Sequence, residues 1–201
     1  MTNTTTPKTP TTTDEPAAWI GCLSCYNNGR LRGKWITAQQ AADELADEID
    51  KGTKVTYGNQ AAHTTNSATP SPTCRKCGGD EFDVFDTQHT PASCRTVKEF
   101  YENAEQLAEL HDTGTLARLI VLADWIGDTT TLDDLQSYDN EHYAGQWNTF
   151  QDYAESYADD VGLLADMPET LRHYFDYEAF SRDLAHDYYH DDTTGHTWRS
   201  C

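Results

Sequence analysis

The sequence is short of positive charge: its 201 residues hold 14 Lys and Arg against 34 Asp and Glu, a formal net charge of −20. Contacts to phosphate need Lys and Arg, so the shortage argues against a module that itself binds nucleic acid. The one basic cluster, Arg30, Arg32 and Lys34, is expected to pair with the protein's own acids, within a subunit or across a subunit boundary. Hydrophobic residues make up only 37% of the chain, too few for one large core. No run of 18 apolar residues occurs and no charged start leads into an apolar stretch. Nothing therefore reads as a membrane span or a secretory signal, and a cytoplasmic protein with no membrane contact is expected. Gly-x-Ser-x-Gly, His-Glu-x-x-His and a Gly-rich phosphate loop are also missing, and no enzyme is expected.

The negative charge is unevenly placed. Residues 101–201 carry 22 Asp/Glu against 4 Lys/Arg, whereas residues 1–100 carry 12 against 10. A field of that size repels nucleic acid and anionic lipid and attracts basic surfaces, such as the DNA clefts of other proteins. Adaptation to high salt would account for an isoelectric point near 4.5, but it would spread the acids evenly.

Pattern and turn chemistry predict an α+β chain of three small domains. Residues 2–13, with eight Thr and two Pro, have too little apolar surface to offset the entropy of ordering them, so 1–16 reads as a disordered tail. A domain over 17–95 then combines a small antiparallel sheet with a helix. Its first strand runs from Trp19 to near Tyr26, Asn27-Asn28-Gly29 makes a tight hairpin turn, and Leu31 to Ile36 returns. Thr37 and Gln40 form a capping-box signature for a helix with Ala38, Ala41, Leu45 and Ile49 on one face, ending at Gly52. Lys54 to Tyr57 reads as a short strand, 58–73 as a polar loop, and Phe82 with Val84 as a further strand.

A helical domain over 96–140 opens with a second capping box, Thr96 and Glu99, and a stripe of Val97, Phe100, Tyr101, Ala104, Leu107 and Ala108. Leu116 to Trp125 is apolar nearly all round and closes at Gly127, and Thr131 with Asp134 starts a short helix through Tyr138. The last domain, 141–201, is acidic and mixed α/β. There Thr149 caps a helix bearing Asp152, Glu155 and Asp159 at i, i+3 and i+7, on one face, with Asp160 extending it. A final helix spans about Tyr177 to His186. His186 and His190 stand at i, i+4 beside Asp187, Asp191 and Asp192. That spacing can bind metal on a helix face, but a solvated helix end that turns less acidic when the imidazoles protonate is the expected reading.

Several of these segments, in this order, resemble the ArdA antirestriction proteins of mobile elements. Trp19-Ile20-Gly21 through Tyr26-Asn27-Asn28-Gly29-Arg30-Leu31-Arg32-Gly33-Lys34-Trp35 is similar to that family's first hairpin. Glu81 to Asp86 (EFDVFD) is similar to its third strand, and Met167 to Leu184 (MPETLRHYFDYEAFSRDL) is the most specific match. The matching stretches span about 18–190, apart from the loop around 58–80, which looks like an insertion. The resemblance implies an elongated homodimer that catalyses nothing, whose carboxylates imitate the phosphates of B-form DNA. Such a protein occupies the DNA-binding groove of a type I restriction-modification enzyme, its methyltransferase core, and protects incoming DNA. At one phosphate per roughly 1.7 Å of duplex, the net −18 of the second half matches on the order of nine base pairs. The carboxylates expected to carry the mimicry are Asp133, Asp134, Asp139, Asp152, Glu155, Asp159 and Asp160. The alternative is an acidic, zinc-stabilised interaction protein with some other basic, nucleic-acid-binding partner.

The six cysteines depart from the family pattern. Cys22 and Cys25 form one Cys-x-x-Cys and Cys74 and Cys77 another, 48 residues on, while Cys94 and Cys201 stand alone. Two such pairs have the spacing of zinc knuckles, able to close a tetrahedral structural site with four thiolates. Gly78 allows a tight turn after the second pair, and Arg75 and Lys76 offset thiolate charge. A structural zinc held by Cys22, Cys25, Cys74 and Cys77 is expected, with Cys94 or His63 as substitute ligands. The plainer possibility is that Cys22 and Cys25 pack in a strand and the second pair is exposed thiol. Four cysteines leave no open coordination position, which argues against a zinc hydrolase or nuclease.

Overall fold

The computed structural model describes residues 14–44, the backbone of 45–50, Cys77, and residues 81–127 and 130–200. The expected strand at Lys54 to Tyr57, the loop at 58–73, His63, Cys74, Cys201 and most of the N-terminal tail lie outside the described residues, as do the side chains of Leu45 and Ile49. The described residues are α+β and fall into two compact units, Met1–Leu132 and Asp133–Cys201.

The first unit is built on a three-stranded antiparallel sheet in the order β2-β1-β3, formed by Gly33–Thr37, Ala17–Cys22 and Phe82–Gln88. Every residue of β1 is buried, as a central strand covered on both faces must be, which is why AAWIGC is a continuous apolar run rather than an alternating one. Pro16, expected to lie in the tail, is buried, and its carbonyl accepts from the Ala38 N–H at 2.8 Å. The close β1–β2 pairing depends on glycine at Gly33, where a Cβ would strike the Ile20 carbonyl of the neighbouring strand.

The hairpin differs from expectation. β1 stops at Cys22, and Leu23–Asn27 forms a helical turn, α1. Asn28 closes it by donating its side-chain amide to the Ser24 carbonyl at 2.7 Å. Gly29 still takes the left-handed conformation, φ +71°, but as the end of a turn of helix rather than as part of a two-residue hairpin loop. The Leu23 N–H still bonds to Glu81, one step beyond the β1–β3 register, and the turn that follows is closed by its own bonds, Asn28 and Arg30 donating to the Cys25 carbonyl and Gly29 to that of Tyr26.

Helix α2, Ala38–Asp50, starts at the expected Thr37/Gln40 box, with reciprocal bonds of 3.2 Å. It packs on α3, Val97–Glu102, and α4, Ala104–Asp112. The capping box of Thr96 and Glu99 is present, while the single expected stripe is divided by a break at Asn103. Val97, Phe100, Tyr101, Ala104, Leu107 and Leu110 are its buried members, Leu110 taking the place expected of Ala108. Tyr101 donates its hydroxyl to Glu44 at 2.8 Å, and Lys34 lies 3.8 Å from the same carboxylate, so one cation of the basic cluster is paired within the chain. Helix α5, Leu116–Ile126, buries Leu116, Leu119, Leu122 and Ala123, and each such Leu contributes about 1.5–3 kcal/mol. Gly127, at φ +107°, ends it.

The second unit holds α6, Leu132–His142, and a sheet of order β4-β6-β5 from Tyr143–Gln146, His196–Arg199 and Tyr188–His190. Helix α7, Phe150–Asp160, begins at the Thr149/Asp152 capping box. A turn of helix, α8, at Glu169–Arg172 leads to α9, Tyr177–Leu184. The final helix is shorter than expected: after Leu184 the chain tightens through Ala185–Asp187 and becomes a strand. His186 and His190 therefore share no helix face. His186 is exposed, while the His190 side chain is 7% exposed in β5. Its Nδ1 is 2.8 Å from the Thr197 hydroxyl. Two buried rings, Trp198 and Tyr153, join Leu135, Ala154, Ala158 and Leu164 in the core of this unit and gather half-buried rings around them. Trp198, fully buried, packs against Tyr143, Tyr189 and His196, and Tyr153 against Trp147, Phe150 and Tyr188.

Candidate functional site

The second unit carries 16 Asp and Glu and 3 Arg over residues 133–201, and nearly all of those carboxylates are exposed. Helix α7 shows how the sequence arranges this. Tyr153, Ala154 and Ala158 face the core, which at 3.6 residues per turn puts Asp152, Glu155 and Asp159 on the solvent side, while Asp160 is exposed as the last residue of the helix. All four are exposed. Asp152 also accepts the Thr149 N–H at 3.0 Å, and Glu155 accepts from the Gln151 amide at 2.8 Å, contacts that hold the two side chains without neutralising them. Asp133 and Asp134 are exposed in the first turn of α6, where the positive end of the helix dipole favours negative charge.

Asp139 does not join this surface. It is 1% exposed and accepts from the Trp198 indole N–H at 3.0 Å. Its place on α6, four residues after Leu135 and seven after Leu132, is the buried face of the helix. It is a structural carboxylate rather than a surface one.

The three arginines offset little of this charge. The Arg172 guanidinium donates to the carbonyls of Met167 and Ala165, at 3.1 and 3.2 Å, and so closes the turn before α8. Arg182 lies 3.9 Å from its neighbour Asp183, both exposed. Carboxylates outside the expected set, Glu169, Glu178 and Asp183, are exposed as well. Their sequence signal was the MPETLRHYFDYEAFSRDL stretch, whose charges follow helical spacing less regularly than those of α7.

The first unit holds a separate cluster. The Sγ atoms of Cys22, Cys25 and Cys77 all lie within 4.8 Å of one another, Cys77 standing 3.5 Å from Cys22 and 3.3 Å from Cys25. Cys22 and Cys25 are buried against Phe82 and Cys77 is exposed. The donor set suits a metal ion. Cys94 is not part of it: it is buried in the turn Ala92–Cys94, and desolvation above all pushes its thiol up to about 11, so it is a neutral packing group.

No individually curated protein matches this sequence. A family description does: antirestriction protein (ArdA), over residues 18–197. That match takes in both units and nearly every described residue, and the chain belongs to the ArdA family of antirestriction proteins.

Proposed function

We propose that the exposed carboxylates of the second unit imitate the phosphates of B-form DNA, and that the protein, as a homodimer, occupies the DNA-binding groove of a type I restriction-modification enzyme. The observation that carries this reading is the row on α7. Asp152, Glu155 and Asp159 lie on one face over seven residue steps, about 10.5 Å at 1.5 Å per residue, or one charge per about 5 Å, and Asp160 adds a fourth charge at the helix end. One strand of duplex DNA presents a charge every 3.4 Å or so. Asp133 and Asp134 add exposed charge at the start of α6, and the shortage of cations leaves the surface strongly negative.

On this reading the protein is an inhibitor that acts in the cytoplasm. Its partner is the methyltransferase core of the restriction enzyme, and it binds no nucleic acid itself. The cysteine cluster takes no part in recognition and holds a structural zinc ion.

Competition against labelled duplex DNA for a purified type I methyltransferase core, across a salt series, tests the proposal. Stoichiometric displacement that weakens steeply with salt is the expected result. Absence of displacement at low salt would overturn it for that class of target and turn attention to another basic, nucleic-acid-binding partner.

A further inference from the structure

We propose that Cys22, Cys25 and Cys77 bind one thiophilic d10 cation, zinc by class, in a structural site that ties Cys77 to the end of β1. The local geometry is built for it. β1 ends at Cys22, whose N–H donates to Arg32 at 2.9 Å, and α1 then turns the chain so that Cys25 comes back beside it. The Cys25 carbonyl accepts from both Asn28 and Arg30, at 3.1 and 3.0 Å. Those bonds fix the Cys-x-x-Cys turn as a knuckle.

The third thiol arrives from 52 residues away. Packing accounts for Cys22 and Cys25, at 1 and 2% exposure, since a thiol behaves as a small hydrophobe. It does not account for Cys77, which is exposed and gains no such burial. A disulfide would join two of the sulfurs and leave the third outside. A tetrahedral ion with metal–sulfur bonds of about 2.3 Å needs sulfurs about 3.8 Å apart, close to the 3.3 and 3.5 Å observed. Soft thiolates select against magnesium and calcium, and Phe82 supplies an apolar wall to the site. The three thiolates occupy three corners of such a tetrahedron.

This site belongs to the first unit, and the inference stands whether or not the carboxylates meet a restriction enzyme. Its test uses the reduced, full-length protein stripped with a chelator and titrated with Co(II). One equivalent should bind, with the charge-transfer and visible bands of tetrahedral cobalt thiolate, and Zn(II) should displace it. Because Cys22 and Cys25 are buried and their replacement can unfold the protein, the deciding variant is Cys77→Ser at the exposed position. It should keep its circular dichroism and lose at least about 10- to 100-fold in metal affinity, the scale on which even second-shell changes act. Cys94→Ser should bind as the wild type does. Absence of cobalt binding by the reduced wild type, or undiminished affinity in Cys77→Ser, would overturn the proposal.

Discussion

Neutralising the outer face of α7 separates mimicry from mere acidity. The perturbation is the triple change Glu155→Gln, Asp159→Asn and Asp160→Asn. Asp152 is left alone because it closes the capping box with Thr149. All three targets are exposed, so each change should move stability by no more than about 0.5 kcal/mol, as for ordinary surface substitutions. A carboxylate meeting a basic group at a wet interface contributes about 0.2–1 kcal/mol. Three of them together contribute about 0.6–3 kcal/mol, which weakens binding roughly 3- to 150-fold. If each carboxylate stands for one phosphate, the log–log slope of affinity against salt should also flatten by about 2 to 3. The assay is displacement of labelled duplex from a type I methyltransferase core. The control removes the same charge from the first unit, through Glu81→Gln, Asp83→Asn and Asp86→Asn on and beside β3, all exposed. Asn keeps the side-chain oxygens that Asp83 and Asp86 use to accept from Val84 and Thr87. Equal losses in the two triples would mean that only total charge matters, and an unchanged α7 triple would refute the assignment of that face.

Replacing Trp198 by Phe removes the donor 3.0 Å from the buried Asp139, so urea denaturation should show a loss of about 1–3 kcal/mol or more, while the salt slope of inhibitor binding stays as in the wild type. The Asp191 carboxyl is held below its ordinary range chiefly by the Thr194 hydroxyl, at 2.6 Å, with the Thr194 N–H at 2.7 Å assisting. A depressed carboxylate stabilises the fold above its unfolded pKa of about 3.9 and loses that contribution as pH falls through the folded value. Thr194→Val should therefore raise the Asp191 titration, read by carboxyl NMR, lower stability near neutral pH, and reduce the further loss of stability as the pH falls through the acid range. Added salt should raise the melting temperature by screening the self-repulsion of a net −20 chain while weakening partner binding. Parallel changes in the two would contradict an electrostatic origin for either.

The parts of this fold that were legible in the sequence are those fixed by local chemistry. Thr96 with Glu99 and Thr149 with Asp152 start helices where their side chains can reach the N3 amides, and a four-residue window contains all the information required. Gly127 and Gly162 end helices for an equally local reason, their positive φ. The misread positions depend on distant partners. The segment from Leu23 to Asn27 is apolar enough to extend β1, yet it leaves the ladder after the bond to Glu81 and closes on itself as a helical turn. The strands at Tyr143–Gln146 and His196–Arg199 are four residues each and pair across about 50 positions, too short to leave a period. Asp139 looks like any acid on an amphipathic helix until Trp198 is placed against it. The convergence of Cys77 on Cys22 and Cys25 was suggested by cysteine spacing alone, because that chemistry depends on few residues.

A surface this acidic has to be reconciled with folding, and the second unit does so in two ways. Its core sets two large rings, Trp198 and Tyr153, beside Leu135, Ala154, Ala158 and Leu164, and an aromatic side chain buries about 150–250 Å². A few positions around Trp198 and Tyr153 therefore suffice for packing, and the remaining positions are left for carboxylates. Several of those carboxylates are then placed where the backbone itself supplies positive potential. Asp152 accepts the Thr149 N–H, Asp176 the Ala179 N–H at 2.9 Å, and Asp191 the Thr194 N–H. Asp133 and Asp134 sit in the first turn of α6. Negative charge in these positions stabilises a helix start or turn by about 0.3–1 kcal/mol, which offsets repulsion from its neighbours. This is the ordinary preference of Asp and Glu at helix starts, and it accounts for how one small unit carries so many acids and still folds.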